Sequence, residues 1–419
     1  MRFVYAYALY MKKIDICYRY AKIIVAIGLF SCTLCPGTEA EKKFKLGIER
    51  IQEYRAVFTG KRAGLITNQT GIDAEGTPSA ALLSRTAHVT ALFSPEHGIQ
   101  GNEREGASIG HGIDPQTGLT VYSLYGNTKR PTPEMLKDID ILCFDIQDAG
   151  ARFYTYISTM AYAMEECARH KKQFIVFDRP NPIGGSAVEG NILELDYRSF
   201  TGYFPIVQRH GMTVGELALL FNTEYGIHCD LTVIPMEGWK RTAYFDELPL
   251  IWVPPSPNIP SPQTALLYAG ICLFEGTNIS VGRGTPMPFQ YIGAPFIDGY
   301  QLSEQLNRLD LKGVRFLPAF FTPSLSIYAG KRCEGIQIAV TDRLGFSPVK
   351  TAIGIFYELR RLYPDHFKIN NAGQKYCGLH LLTGCRQLTD PTQTAQDYFR
   401  RIDKESLQFS NLRKKYLLY

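Results

Sequence analysis

At roughly 150 residues per domain, 419 residues allow two or three domains, and 45% hydrophobic with 20% charged residues is ordinary globular composition that excludes disordered, collagen-like and fibrous classes. The formal charge of +5, from 45 Lys+Arg against 40 Asp+Glu, invites nucleic-acid binding, yet no run of five or more basic residues occurs. Without residues 1–31 the balance is 40 basic to 39 acidic, so no general attraction to a polyanion is needed and any recognition of charge is expected to be local.

The chain begins with Arg2, Lys12, Lys13, Arg19 and Lys22 against one acid, Asp15, followed by the apolar run 23–30. A basic segment and then a short apolar run is the pattern of an export signal, and the run is short for a membrane-spanning helix. Leu29-Phe30-Ser31-Cys32 resembles a lipoprotein box with Cys32 as the lipidated residue, while Ala40 offers a conventional cleavage point and Met11 an alternative start. Residues 1–40 are therefore expected to be a signal peptide or lipoprotein signal, and the protein to be exported, periplasmic or lipid-anchored to the cell envelope.

Apolar runs at 63–67, 88–93, 140–146, 174–178 and 231–235 are expected strands, alternating with helical stretches at 77–85, 132–138, 155–170 and 213–225. Such alternation implies a parallel α/β sheet with polar ligand-binding residues just beyond the carboxyl ends of its strands. The Pro-rich passage 249–262 cannot be a regular helix or central strand and is read as the domain junction. Beyond it come helices near 263–273, 299–309 and 348–362, strands near 314–321 and 334–341, a Gly/Pro-rich loop at 275–296 and a mostly helical tail from 392. Seven cysteines lie beyond residue 40, an odd number with no C-x-x-C pair, which excludes a zinc ribbon or thioredoxin motif and leaves a Cys377–Cys385 disulfide open.

Four loops concentrate functional side chains beside glycine and proline. Ser94–Gly101 sets Glu96 and His97 after a strand, where a carboxylate is placed for acid/base work; a capping glutamate in a turn is the structural alternative. Asp145 to Tyr156 carries Asp145, Asp148, Arg152 and Tyr156, with an Asp–Arg pair fixing the loop as the alternative. Asp178–Gly185 carries Arg179 and Asn181, followed by Glu189, and reads equally as a stiff turn. Glu275 to Thr285 carries Glu275 and, between two glycines, Arg283, suited to bidentate capture of a carboxylate unless the loop is merely flexible surface. No G-x-G-x-x-G, Walker or H-E-x-x-H motif occurs, and His97, His111 and His210 are not at metal-ligand spacing, so no metal or cofactor is expected.

Taken in order, these loops and the Pro254–Pro262 segment resemble the NamZ family, the exo-β-N-acetylmuramidases of glycoside hydrolase family 171, over residues 44–419. The resemblance implies a Rossmann-like parallel-sheet α/β domain at 41–250 and a smaller C-terminal α/β domain at 251–419, with the active cleft between them. It implies hydrolysis of non-reducing terminal N-acetylmuramic acid from peptidoglycan fragments such as MurNAc-GlcNAc, with Glu96 as the catalytic glutamate. Glycoside hydrolysis normally needs two carboxyl groups, or one if a 2-acetamido group assists. Glu96 is thus expected as general acid/base, Asp148 as supporting carboxylate, and His97 beside them. Asp145, Arg152, Tyr156, Arg179, Asn181, Glu189, Glu275 and Arg283 are expected substrate contacts, with Arg283 or Arg179 on the lactyl carboxylate and Tyr154, Tyr156 and Phe289 stacking on the sugar. A nucleotide-dependent oxidoreductase, which lacks its glycine fingerprint, and a non-enzymatic sugar-binding lipoprotein are the rival readings.

Overall fold

The computed structural model describes residues 43–103, 112–374 and 376–419. The export segment, Cys32 with its lipid anchor, and His111 lie outside these residues. Phe44–Tyr419 forms one compact unit.

Among the described residues ten strands make two sheets: β1 (Arg62–Thr67), β2 (His88–Ser94), β3 (Gly112–Ile113), β4 (Thr120–Ser123), β5 (Ile141–Asp145), β6 (Gln173–Phe177), β7 (Asp230–Ile234), β8 (Tyr291–Ala294), β9 (Val314–Phe321) and β10 (Cys333–Val340). The larger sheet runs β3-β4-β2-β1-β5-β6-β7, parallel except for β3, and the smaller is antiparallel in the order β8-β10-β9. Among the described residues the α-helices longer than one turn are α1 (Ser79–Ser84), α2 (Tyr156–Arg169), α3 (Val214–Glu224), α4 (Pro262–Ile271), α5 (Gly299–Asn307), α6 (Pro348–Leu362), α7 (Gly378–Thr383) and α8 (Ala395–Arg413).

The central strands are apolar throughout because both faces are covered. Ala63 and Leu65 of β1, with Ile141 and Cys143 of β5, enter one core, while Ile66, Leu142 and Phe144 enter the other, which continues into the C-terminal helices. Gly64 makes room in β1 for the core, since a Cβ there would stand 2.6 Å from the Ile139 side chain and 2.9 Å from Phe93, which would have to shift. Chain order reverses at β1, which lies between β2 and β5, and the crevice beyond such a switch point is where open α/β sheets bind ligands.

The five expected strands and the four helical stretches of the first half are present. Four of the labelled elements were not legible, β3 because it is only two residues long. β4 is four residues long with one apolar side chain at its centre, β8 is embedded in the Gly/Pro-rich stretch, and α7 is a single short turn-and-a-half before Gly384, whose φ of 70° ends it. All seven described cysteines, Cys377 and Cys385 included, are buried free thiols. No described helix is long and apolar enough to cross a membrane.

The C-terminus closes the carboxyl edge of β6. Asp178, fully buried, accepts from Gly215 N (2.8 Å), Thr213 Oγ1 (2.8 Å) and the Tyr419 hydroxyl (2.7 Å). Burial, then the nearby charge of Glu216, pushes its carboxyl up to about 7. A carboxyl raised on folding binds more protons in the native state, so its stabilising contribution is complete below pH 4 and lost as pH rises to 7. Denaturant unfolding is expected to show stability falling between pH 4 and 7, by up to roughly 1.4 kcal/mol per pH unit from this group. Asp178→Asn is expected to flatten that slope; an unchanged slope would place its origin elsewhere.

Candidate active site

A cavity of about 390 Å³ opens beyond the carboxyl ends of β2 and β5. Its sheet-side wall is Glu96 and His97, after β2, with Phe153, Tyr154 and Thr155, after β5. The opposite wall comes from the second half of the chain: Tyr268 of α4, Cys272, Glu275, Arg283 and Phe289, with Ser326 and Ile327 from the β9–β10 connection and Leu382 of α7. Ser256 and Ile259 close one side, so the Pro-rich segment is part of the cavity wall. It is held there by the Tyr156 hydroxyl on Pro255 O (2.6 Å) and by Gln69 Nε2 on Pro254 O (2.8 Å).

Glu96 is half-buried, and Thr155 Oγ1 donates to its Oε2 at 2.7 Å. Thr155 is the N-cap residue of α2, yet its side chain makes no cap hydrogen bond. The hydroxyl that would ordinarily cap the helix serves the carboxylate instead, and sets it at the positive end of the helix dipole. His97 has a left-handed backbone (φ 71°), and its Nδ1 is 2.9 Å from Glu103 O. Across the cavity Arg283 Nε donates to Glu275 Oε1 at 2.5 Å, with the guanidinium 5.3 Å from the centre of the Phe289 ring. Glu96 and Glu275 are the carboxylates lining the cavity among the described residues, and Arg283 is its one Lys or Arg. No group of three or more His, Cys, Asp or Glu able to hold a metal occurs among the described residues.

Family models for the N- and C-terminal parts of the exo-β-N-acetylmuramidase NamZ match residues 63–263 and 266–419. The peptidoglycan β-N-acetylmuramidase NamZ of Bacillus subtilis (strain 168) is 47% identical over 387 residues, 91% of this chain and 93% of its own length. The chain belongs to the NamZ family. Two DUF1343 family proteins of Bacteroides fragilis NCTC 9343 have similar crystal structures, with TM-scores of 0.83 and 0.71 at 38% and 33% identity, each over 90% of this chain and 99% of its own.

In this NamZ chain the cavity gathers Glu96, His97, Glu275 and Arg283 from the residues expected of the site. The others are placed behind it and their expected contacts with substrate are revised. Asp145 is buried, paired through both oxygens with Arg179 (2.5 and 2.8 Å) and bonded to Ser79 Oγ. Arg179 also donates to Ile72 O (2.8 Å), and it is not among the residues lining this cavity. Arg152, 1% exposed, donates to the carbonyls of Asn191 and Ile206 (both 2.8 Å), Leu382 (3.1 Å) and Thr383 (2.7 Å). Tyr156 is buried and bonded to Asn68 (3.0 Å) as well as Pro255, which leaves no ring face for a sugar. Asn181 holds its own turn through Met212 O (3.0 Å) and Ile183 N (3.1 Å). Glu189 is held by Arg209 (2.6 Å) and Ser347 (2.7 Å), away from the cavity.

Asp148 is also buried off the cavity wall, accepting from Gly150 N at 2.6 Å with its other oxygen unpartnered and His210 Nε2 at 3.7 Å. It is therefore removed as the supporting carboxylate; Glu275 is the second carboxyl on the wall. Sequence reasoning missed Thr155, Ser256, Tyr268 and Asn370, all on the lining. For Thr155 a signal existed: a threonine opening a predicted helix within the Asp145–Tyr156 motif itself.

Because the Thr155 hydroxyl bonds Glu96 and nothing in its own helix, Thr155→Val is expected to lower turnover roughly tenfold, about one hydrogen bond to a charged group, without shifting the melting temperature. Thr155→Ser is expected to restore activity. Equal losses of activity and stability in the valine variant would make the contact merely structural.

Proposed function

We propose that this chain is an exo-acting β-N-acetylmuramidase, a glycoside hydrolase that releases terminal N-acetylmuramic acid from peptidoglycan-derived saccharides such as MurNAc-GlcNAc. Membership of the NamZ family supports the substrate class. The observation that carries the chemistry is a helix-anchored carboxylate, Glu96, facing an arginine–carboxylate pair, Arg283–Glu275, across a cavity sized for a sugar or two.

In this reading Glu96 protonates the glycosidic oxygen as the leaving sugar departs. The acetamido carbonyl oxygen attacks C1 to give a cyclic intermediate, and water, deprotonated by Glu96, opens it. Thr155 keeps the Glu96 carboxyl in one orientation through both steps. Arg283 reads the lactyl carboxylate of muramic acid, for which Glu275 stands in when the cavity is empty of sugar. Peptidoglycan lies outside the cytoplasmic membrane, and the basic-then-apolar N-terminal segment supports export, with Cys32 as the proposed site of a lipid anchor.

Incubating the protein with a defined MurNAc-GlcNAc disaccharide and following the released sugar by NMR tests the reading. Turnover is expected, with Glu96→Gln slower by 10²- to 10⁴-fold, the usual span for a general acid/base. Near-wild-type turnover in that variant would sink the assignment, and binding without turnover by the wild type would favour a sugar-binding lipoprotein. Arg283→Ala is expected to cut discrimination between muramic acid and glucosamine at the cleaved position by about 10- to 100-fold. Unchanged discrimination would remove Arg283 from lactyl recognition.

A further inference from the structure

His97 lines the cavity one residue after Glu96, and the steps assigned to Glu96 leave it unused. Its backbone is left-handed (φ 71°), a conformation that costs energy in any residue but glycine and gathers at functional sites. The ring is fixed by a reciprocal closure of its loop: His97 Nδ1 lies 2.9 Å from Glu103 O, and Glu103 N donates to His97 O at 3.1 Å. A carbonyl oxygen only accepts, so Nδ1 carries the proton, and Nε2 of the neutral imidazole is left as an acceptor. Nε2 has no partner among the described residues, and it is not sealed in the protein as the unpaired His210 Nε2 is. It is the open ring nitrogen of a residue on the cavity wall.

An acceptor held in one tautomer suits a partner that can only donate. N-acetylmuramic acid has one such group beside its reacting carbon, the N–H of the 2-acetamido substituent, since its O3 is closed as the lactyl ether. Attack of the acetamido oxygen on C1 moves positive charge onto this nitrogen. A hydrogen bond accepted from the N–H therefore strengthens as the transition state is reached, which is what a catalytic contact requires. The carboxylates on the wall are otherwise engaged: Glu96 works at the glycosidic oxygen, and Glu275 accepts from Arg283 Nε at 2.5 Å.

We infer that His97 Nε2 accepts the hydrogen bond of the substrate's 2-acetamido N–H. This rests on the muramidase reading and deepens it. In the first step an electron pair of the acetamido oxygen forms the bond to C1, the electrons of the breaking C1–O bond leave with the departing oxygen, and Glu96 supplies that oxygen's proton. The amide proton stays on nitrogen throughout, shared with His97. The contact holds the amide with its oxygen turned toward C1 and supports the charge that cyclisation places on the nitrogen.

The test is a calorimetric titration with N-acetylmuramic acid and with its 2-O-acetyl analogue, which keeps the carbonyl and methyl and replaces only the N–H by oxygen. Wild-type protein is expected to prefer the N-acetyl ligand about tenfold, one hydrogen bond; equal affinities overturn the inference without any variant. Asparagine tolerates the left-handed backbone and its amide can reach Glu103 O, but it puts nothing in the place of Nε2. His97→Asn is therefore expected to keep its melting temperature and lose the preference, binding the two ligands within about twofold of each other. Equal weakening of both ligands, or of neither, overturns the inference. His97→Gln, whose amide oxygen reaches toward the place of Nε2, is expected to recover the preference to within about threefold of wild type. A lowered melting temperature in His97→Asn with no recovery in His97→Gln would reduce the histidine to a fastener of its own loop. Wild-type protein that shows the preference yet cleaves no disaccharide would refute the muramidase reading and leave the pairing of His97 with the N–H standing.

Discussion

The loops that build the cavity are held from behind by buried guanidinium groups, above all that of Arg152. Loops at a sheet edge carry backbone carbonyls that no strand or helix satisfies, and burying them demands donors. Arg152 supplies four such bonds at once, to Asn191, Ile206, Leu382 and Thr383. Burial lowers its pKa only to about 10, so it stays cationic at neutral pH, and bonds to a charged donor are worth about 1.5–3 kcal/mol each. Two of its partners lie more than 220 residues further along the chain. Since Phe153–Thr155 follow Arg152 directly and Leu382 also lines the cavity, this one side chain sets the spacing of two opposing walls.

The same device recurs. Arg413, in the last turn of α8, donates to the carbonyls of Gly185 (2.8 Å), Ser186 (3.2 Å) and Gly211, and Arg209 joins Glu189 to Ile183 O (2.7 Å). Arg179 closes on Asp145. The cavity itself keeps a single arginine. Most of the guanidinium chemistry in the motif loops is thus architectural, and Arg283, paired with Glu275, is the one guanidinium on the wall among the described residues.

This division explains what was legible in the sequence. Strands such as 63–67 and 174–178 announce themselves because burial on both faces forces continuous apolar runs, and a Gly/Pro-bearing loop after each marks the carboxyl edge. What a motif cannot reveal is which way its polar residues turn. Asp145, Asp148, Arg152 and Arg179 share glycine-rich surroundings with Glu96 and Arg283, and only three-dimensional pairing separates those that bond each other or the backbone from those that line the cavity. Thr155 and Tyr268 were obscured for the opposite reason: they sit in ordinary helical periodicity, and their role comes from partners 59 residues away in one case and across the cavity in the other. The Pro-rich segment, expected as a domain junction, also contributes Ser256 and Ile259 to the cavity lining, since stiffness suits a linker and a wall alike.

His97, Phe289 and Ser326 all line the cavity, and all three hold left-handed backbones, at φ 71°, 61° and 68°. Such conformations cost a non-glycine residue of order 1–3 kcal/mol, and are kept only where surrounding packing overrides local preference. Part of the conformational tension is therefore lodged on the cavity wall, which holds three of the eight non-glycine residues with positive φ among those described, and the packing behind it supplies the restoring force. Selection for heat resistance alone would reach first for glycine at these three positions, relaxing the tension, and the sturdier molecule that resulted would have exchanged a shaped pocket for a compliant one.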